Sequence, residues 1–183
     1  MEKIVFLDRD GVINEFPGFG NYVTKWEEFK FIPGSLEGIR KLTEQSFKLF
    51  IVSNQAGVAK GLYTPKDLEK INAKMLEQIK KSGGKISGIY YCIHSSEDNC
   101  SCRKPKTGLM HKALEENSLR YDKAFFIGDA FSDMEAARSF GAKTILVLSG
   151  IEKISNRANW GFEPDYVFEN LLLAAEYLSS CYA

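Results

Sequence analysis

Apolar residues along the chain gather in short runs, and the stretches between them carry an apolar residue every third or fourth position. The runs cover residues 4–7, 47–52, 86–92, 124–127 and 143–148. Several are apolar almost throughout, the pattern of strands in a parallel sheet covered on both faces. The intervening stretches read as helices. Thr64-Pro65-Lys66-Asp67 offers an N-cap, a proline at the first helical position and an acidic third residue, with Leu68, Ile71, Met75 and Ile79 along one stripe. Ser132-Asp133-Met134-Glu135 reads as a capping box, with Gly141 closing that helix. Asn170 is placed to cap a last helix through Leu171–Leu173 and Leu178. Alternating strands and helices predict a single α/β domain over residues 1–183, a doubly wound parallel sheet. Its ligand crevice should lie beyond the carboxyl ends of the strands.

Two segments interrupt the alternation. Residues 14–34 separate the first strand from its helix, far beyond the usual connection of roughly two to six residues. They hold Gly18, Gly20 and the aromatics Phe16, Phe19 and Tyr22. Residues 92–107 form the second long connection. Long loops on this edge of an α/β sheet are where specificity elements sit.

Composition then narrows the classes. The 183 residues are 44% hydrophobic, enough for one substantial core, and 24 basic residues balance 24 acidic ones. That balance argues against a broad cationic face for nucleic acid or an anionic membrane. The N-terminal apolar run is too short for a signal peptide, and no segment is long enough to span a bilayer. A cytoplasmic monomer acting on a small molecule is expected.

Chemistry concentrates at the predicted strand ends. Asp8-Arg9-Asp10-Gly11 leaves the first strand, and Gly128-Asp129 leaves the fourth, with Asp133 one helical turn later. Carboxylates converging from two strands call for a hard cation, and Mg²⁺ prefers such oxygen ligands. Ser53 ends the second strand and Lys104 lies in Cys102-Arg103-Lys104-Pro105; a hydroxyl and an ammonium beside a metal make a cradle for a phosphoryl group. Asn54, Gln55 and Arg103, next to these, are candidate substrate contacts. Alone, a D-x-D after a strand is more often a turn, and Asp133 alone would favour a helix N-terminus. The ordered set D-x-D-G, Ser, Lys, G-D-x-x-x-D is specific.

Cys92, His94, Cys100 and Cys102 form C-x-H-x5-C-x-C, a complete donor set for a closed, structural Zn²⁺ site. A zinc loop over residues 92–102 would end immediately before Arg103 and Lys104 and fix where both point. His111 reads as a surface or capping residue, and Cys181 as a free thiol.

The four motifs resemble those of the haloacid dehalogenase superfamily of aspartate-nucleophile phosphatases. The resemblance implies a Rossmann-like fold with short loop insertions and no separate cap domain. It makes Asp8 the nucleophile and Asp10 the general acid/base, with Ser53 and Lys104 holding the phosphoryl oxygens. Mg²⁺ would be held by the Asp8 side chain, the Asp10 carbonyl and Asp129, while Asp133 supports its water shell or orients Lys104. D-R-D-G-V-I-N, S-N-Q-A-G-V-A-K-G and C-x-H…C-x-C-R-K-P together resemble the heptose 1,7-bisphosphate 7-phosphatase and histidinol-phosphatase branch. Residues 54–61 and 105–110 look closer to the heptose enzymes, which serve nucleotide-activated heptose and lipopolysaccharide synthesis. Ala130 departs from that pattern, since heptose enzymes often have Lys there. Histidinol phosphate is the alternative substrate. A zinc-stabilised nucleic-acid module or DNA 3′-phosphatase has only the run Arg103-Lys104-Pro105-Lys106 in its favour.

Overall fold

The five predicted runs all become strands in the computed structural model, which describes residues 2–153, 155 and 160–182. They are β1 (Glu2–Leu7), β2 (Lys48–Asn54), β3 (Gly88–Cys92), β4 (Tyr121–Gly128) and β5 (Lys143–Val147). A sixth strand, β6 (Tyr166–Phe168), was not anticipated. It has three half-buried residues on the sheet edge, too few to stand out as an apolar run. The order is β3-β2-β1-β4-β5-β6, and every pairing is parallel.

Alternate residues of the central strands feed two cores, as a sheet buried on both faces requires. Val5, Leu7, Phe125 and Ile127 point to one face. They pack there with Ile39 and Leu42 of α1 (Ser35–Glu44), Ile71, Met75 and Ile79 of α2 (Pro65–Lys81), and Leu171 and Leu178 of α5 (Leu171–Cys181). Ile4, Phe6 and Phe126 point to the other. They meet Leu109 and Met110 of α3 (Gly108–Glu116) and Ala136, Ala137 and Phe140 of α4 (Phe131–Phe140). No helix among the described residues is long and apolar enough to cross a membrane.

Local signals set the helix ends. The Thr64 hydroxyl accepts from the Asp67 N–H while the Asp67 carboxylate accepts from the Thr64 N–H, both at 3.2 Å, a reciprocal cap at the start of α2. Asn170 Oδ1 accepts from Leu173 N–H at 3.1 Å at the start of α5. The capping box expected at Ser132 and Glu135 is not used. Helix α4 begins two residues earlier than that box requires, with Ala130 at the N-cap, so Asp133 falls at the third helical position. Trp26, Phe29 and Phe31 stack on one another and pack on the first core, ordering the latter half of the long connection after β1.

The chain winds outward from β1 to β2 and β3, then returns to lay β4 on the other side of β1. The carboxyl ends of β1 and β4 are therefore the topological switch point, where connections diverge and leave a crevice.

Candidate active site

Asp8 and Asp10 emerge from β1 into a turn built on Arg9, whose carbonyl accepts from the N–H groups of Val12, Ile13 and Asn14. Gly11 takes φ +84°, and a Cβ there would collide with the Asp129 carboxylate. This turn and the end of β4 therefore touch with no room for a side chain. Asp8 Oδ1 accepts from Arg9 N–H at 2.7 Å and pairs with Lys104 Nζ at 3.0 Å. Burial raises the Asp8 carboxyl to about 6; Lys104 opposes this and Asp133 adds to it.

Asp129 is fully buried. Its Oδ2 accepts from Ile151 N–H at 2.8 Å, while its Oδ1 is buried without a hydrogen-bond partner. A Cβ on Gly150 would also collide with this carboxylate, so the turn after β5 closes over it. Burial, Asp8 and Asp133 hold Asp129 well above the usual carboxylate range. Asp133 uses both oxygens: Oδ2 accepts from the Asp129 and Ala130 N–H groups at 3.2 Å each, and Oδ1 pairs with Lys104 Nζ at 2.7 Å. Burial alone would lower the Lys104 ammonium, but Asp133 and Asp8 outweigh it and hold it above its ordinary value.

Ligand oxygens of Asp8, Asp129 and Asp133 lie within 4.8 Å of one another. Three buried carboxylates against one ammonium leave excess negative charge in a low-dielectric site. An orphaned Asp129 oxygen faces it, an arrangement a hard divalent cation would complete.

Asp10 is held differently. Arg9 Nη2 donates to both of its oxygens at 3.0 Å, Asn14 Nδ2 to Oδ1 at 2.8 Å and Gln55 Nε2 to Oδ2 at 2.8 Å. Arg9 itself is fully buried, its charge answered by Asp10 and by the rings of Phe29 and Tyr91.

The expected substrate contacts separate. Gln55 is wholly buried and bonded to Asp10, Ser53 and Tyr63, so it presents nothing to a ligand. Asn54 turns its amide onto the Lys104 backbone, donating to the carbonyl at 3.2 Å and accepting from the N–H at 3.1 Å. It thereby places the lysine, though it also borders the cavity. Arg103 does face that cavity, a space of about 330 Å³ over Asp8 and Asp10 that Ser53, Lys104 and Ala130 also line. Its outer wall is Phe16–Tyr22, where Phe16 and Phe19 meet edge to face.

The sequence reading passed over Asn14, Tyr63, Gly150 and the Ile151 N–H. Asn14 closes the motif D-R-D-G-V-I-N and could have been read from it; an N–H carries no residue signature.

Cys92, His94, Cys100 and Cys102 converge beyond β3, with contacts of 3.7 Å (Cys92 Sγ–His94 Nδ1), 3.6 Å (Cys92–Cys100), 3.2 Å (His94 Nδ1–Cys102) and 3.4 Å (Cys100–Cys102). Metal–sulfur bonds of about 2.3 Å place tetrahedral donors roughly 3.5–3.8 Å apart, so the set fits one ion with no open position. His111 is exposed against Phe140, and Cys181 is an exposed free thiol.

The D-x-D after β1 and the buried lysine beside it, at the switch point of a parallel sheet, match the haloacid dehalogenase-like motifs expected from the sequence. A family model described as HAD-hydrolase-like matches residues 101–174, which carry Lys104, Asp129 and Asp133. A D-glycero-β-D-manno-heptose-1,7-bisphosphate 7-phosphatase from Neisseria meningitidis is 32% identical over 178 residues, 96% of this chain and 94% of that one. A D-glycero-α-D-manno-heptose-1,7-bisphosphate 7-phosphatase from Campylobacter jejuni is 40% identical over 151 residues, 82% of this chain and 85% of its own. The structure of D,D-heptose 1,7-bisphosphate phosphatase from B. bronchiseptica, complexed with magnesium and phosphate, matches with a TM-score of 0.89 at 32% identity. That match covers 97% of this chain and 98% of the other. The chain belongs to the family of the D-glycero-D-manno-heptose-1,7-bisphosphate 7-phosphatases.

Proposed function

We propose that the protein is a Mg²⁺-dependent phosphatase that removes the 7-phosphate of D-glycero-D-manno-heptose 1,7-bisphosphate. Asp8 attacks phosphorus, the ester P–O bond breaks, and Asp10 gives its proton to the departing sugar oxygen. Asp10 then takes a proton from water, whose oxygen displaces Asp8 and releases inorganic phosphate. Lys104 and Ser53 hold the phosphoryl oxygens, and Asp133 keeps Lys104 directed at them. Asp8, Asp129 and the Asp10 carbonyl would hold Mg²⁺, with Asp133 at its periphery. The cation would screen the phosphate charge from the nucleophile.

The four-ligand cluster would hold Zn²⁺ as a structural ion. Cys102 lies two residues before Lys104, and Arg103 Nη1 donates to the His94 carbonyl at 3.4 Å, so a metal in the loop would help place the phosphate-facing cations.

The cavity wall is the observation that favours a bisphosphate. Among the described residues, its lining cations are Arg103 and Lys104, and its lining carboxylates are Asp8, Asp10 and Asp133, all occupied by catalysis or by Lys104. No spare lining carboxylate remains among these residues for the imidazole and amine of histidinol phosphate, whereas Arg103 suits a second phosphate. The relatives include enzymes named for the β and for the α anomer of the heptose bisphosphate. Steady-state assays with Mg²⁺ on both heptose bisphosphate anomers and histidinol phosphate test the reading. A preference for one heptose anomer supports it; preferred turnover of histidinol phosphate, or equal weak turnover of all, overturns it.

A further inference from the structure

Gln55 looked like a substrate contact and is instead sealed beneath the site. Its two amide ends have different neighbours. Tyr63 Oη donates to Gln55 Oε1 at 2.6 Å, and Gln55 Nε2 donates to Asp10 Oδ2 at 2.8 Å and to Ser53 Oγ at 3.3 Å. We infer that Tyr63 and Gln55 are positioning residues: Tyr63 fixes the sense of the Gln55 amide, and the amide then holds Asp10 for proton transfer.

An amide offers a carbonyl that only accepts and an NH₂ that only donates. Burial pushes the Tyr63 phenol up to about 12, so it remains a donor across the working pH range. With Oε1 taken by that donor, only the NH₂ can face Asp10. A flipped amide would set its carbonyl oxygen against the carboxylate and leave the buried phenol without an acceptor, a costly arrangement.

Tyr63 is well placed to hold this sense. It is buried, it directly precedes the capped start of α2, and a Cβ on Gly57 would collide with its ring. The helix N-terminus thus sets the phenol, the phenol sets the amide, and the amide sets the proton carrier. The inference rests on Asp10 being that carrier.

The test separates the proton step from the rest. A sugar oxygen leaves as an alkoxide unless Asp10 protonates it, whereas 4-nitrophenolate leaves without a proton. Single-turnover release is measured for heptose 1,7-bisphosphate and for 4-nitrophenyl phosphate, using wild type, Tyr63→Phe and Gln55→Met. Melting temperatures are recorded to check folding. The expected result is at least a tenfold loss on the sugar phosphate, on the order of a lost acid–base contribution. KM should stay within about twofold, and nitrophenolate release should be nearly unchanged. Equal losses on both substrates, or a raised KM at unchanged kcat, would overturn the inference. The two variants remove successive links of one chain of hydrogen bonds, so either that folds decides the matter. A wild type that forms no phosphoenzyme from either substrate would instead defeat the underlying reading of the site, and the inference with it.

Discussion

Lys104 Nζ sits between Asp8 at 3.0 Å and Asp133 at 2.7 Å, and the two contacts have different uses. The Asp133 pair is buried; the Asp8 pair would open in the proposed reaction as Asp8 turns to phosphorus. Lys104→Met should therefore lower kcat by about 100- to 1,000-fold, the usual cost of losing one donor to a developing anion, in a steady-state assay. It would also leave Asp133 buried without its partner, so a fall in melting temperature should accompany it. Ionisation of Asp8 gives a pH dependence. Its carboxyl titrates at about 6 here against an ordinary 3.8. The stability contributed by the neutral form is complete below about pH 4 and is lost as pH rises through about 6. A cation needs the ionised form, so Mg²⁺ should raise the melting temperature more at pH 8 than at pH 5. Equal shifts at both pH values would contradict this.

At the level of elements, two connections complete the site. The turn after β5 brings Gly150 and Ile151 onto Asp129, and Ser149 Oγ donates to the Gly11 carbonyl at 2.7 Å, tying that turn to the one after β1. Gly150→Ala should raise the Mg²⁺ concentration for half-maximal activity by about 10- to 100-fold, as loss of ligand orientation does. A metal titration of activity measures it. The cysteine loop is the second connection. If the loop holds Zn²⁺ as proposed, a zinc-selective chelator with Mg²⁺ kept in excess, or Cys102→Ala, should lower the melting temperature. It should also cut kcat by up to about 100-fold through displacement of Lys104, with metal content followed in parallel. Much of this was legible beforehand. Asp8, Ser53 and Asp129 were visible because each lies at the end of an apolar strand, and Lys104 because it falls in Cys102-Arg103-Lys104-Pro105 at the close of the cysteine loop. The roles of Asn54 and Gln55 were not, because an amide in a polar run gives no sign of whether it faces solvent, ligand or backbone. The start of α4 was misplaced for a related reason: Ser132 is a stronger N-cap by residue type than Ala130, but Asp133 is drawn to Lys104 and to the N–H groups at the end of β4.

For the molecule as a whole, the sheet order decides where chemistry can occur. With β1 between β2 and β4, the residues after β1, β2, β3 and β4 converge on one rim, although Asp8 and Asp129 are 121 positions apart in the sequence. The two-sided core explains why this arrangement could be anticipated from near-continuous apolar runs. The edge strand β6 escaped notice because three half-buried residues leave almost no pattern. The account depends most on Asp8 becoming phosphorylated. Rapid quenching during turnover of heptose 1,7-bisphosphate, followed by borohydride reduction and peptide mass spectrometry, tests this directly. An acyl phosphate on Asp8 would be reduced to homoserine at position 8, and the signal should vanish in Asp8→Asn together with turnover. Reduction at another residue, or an Asp8→Asn enzyme that still hydrolyses the substrate, would contradict the account.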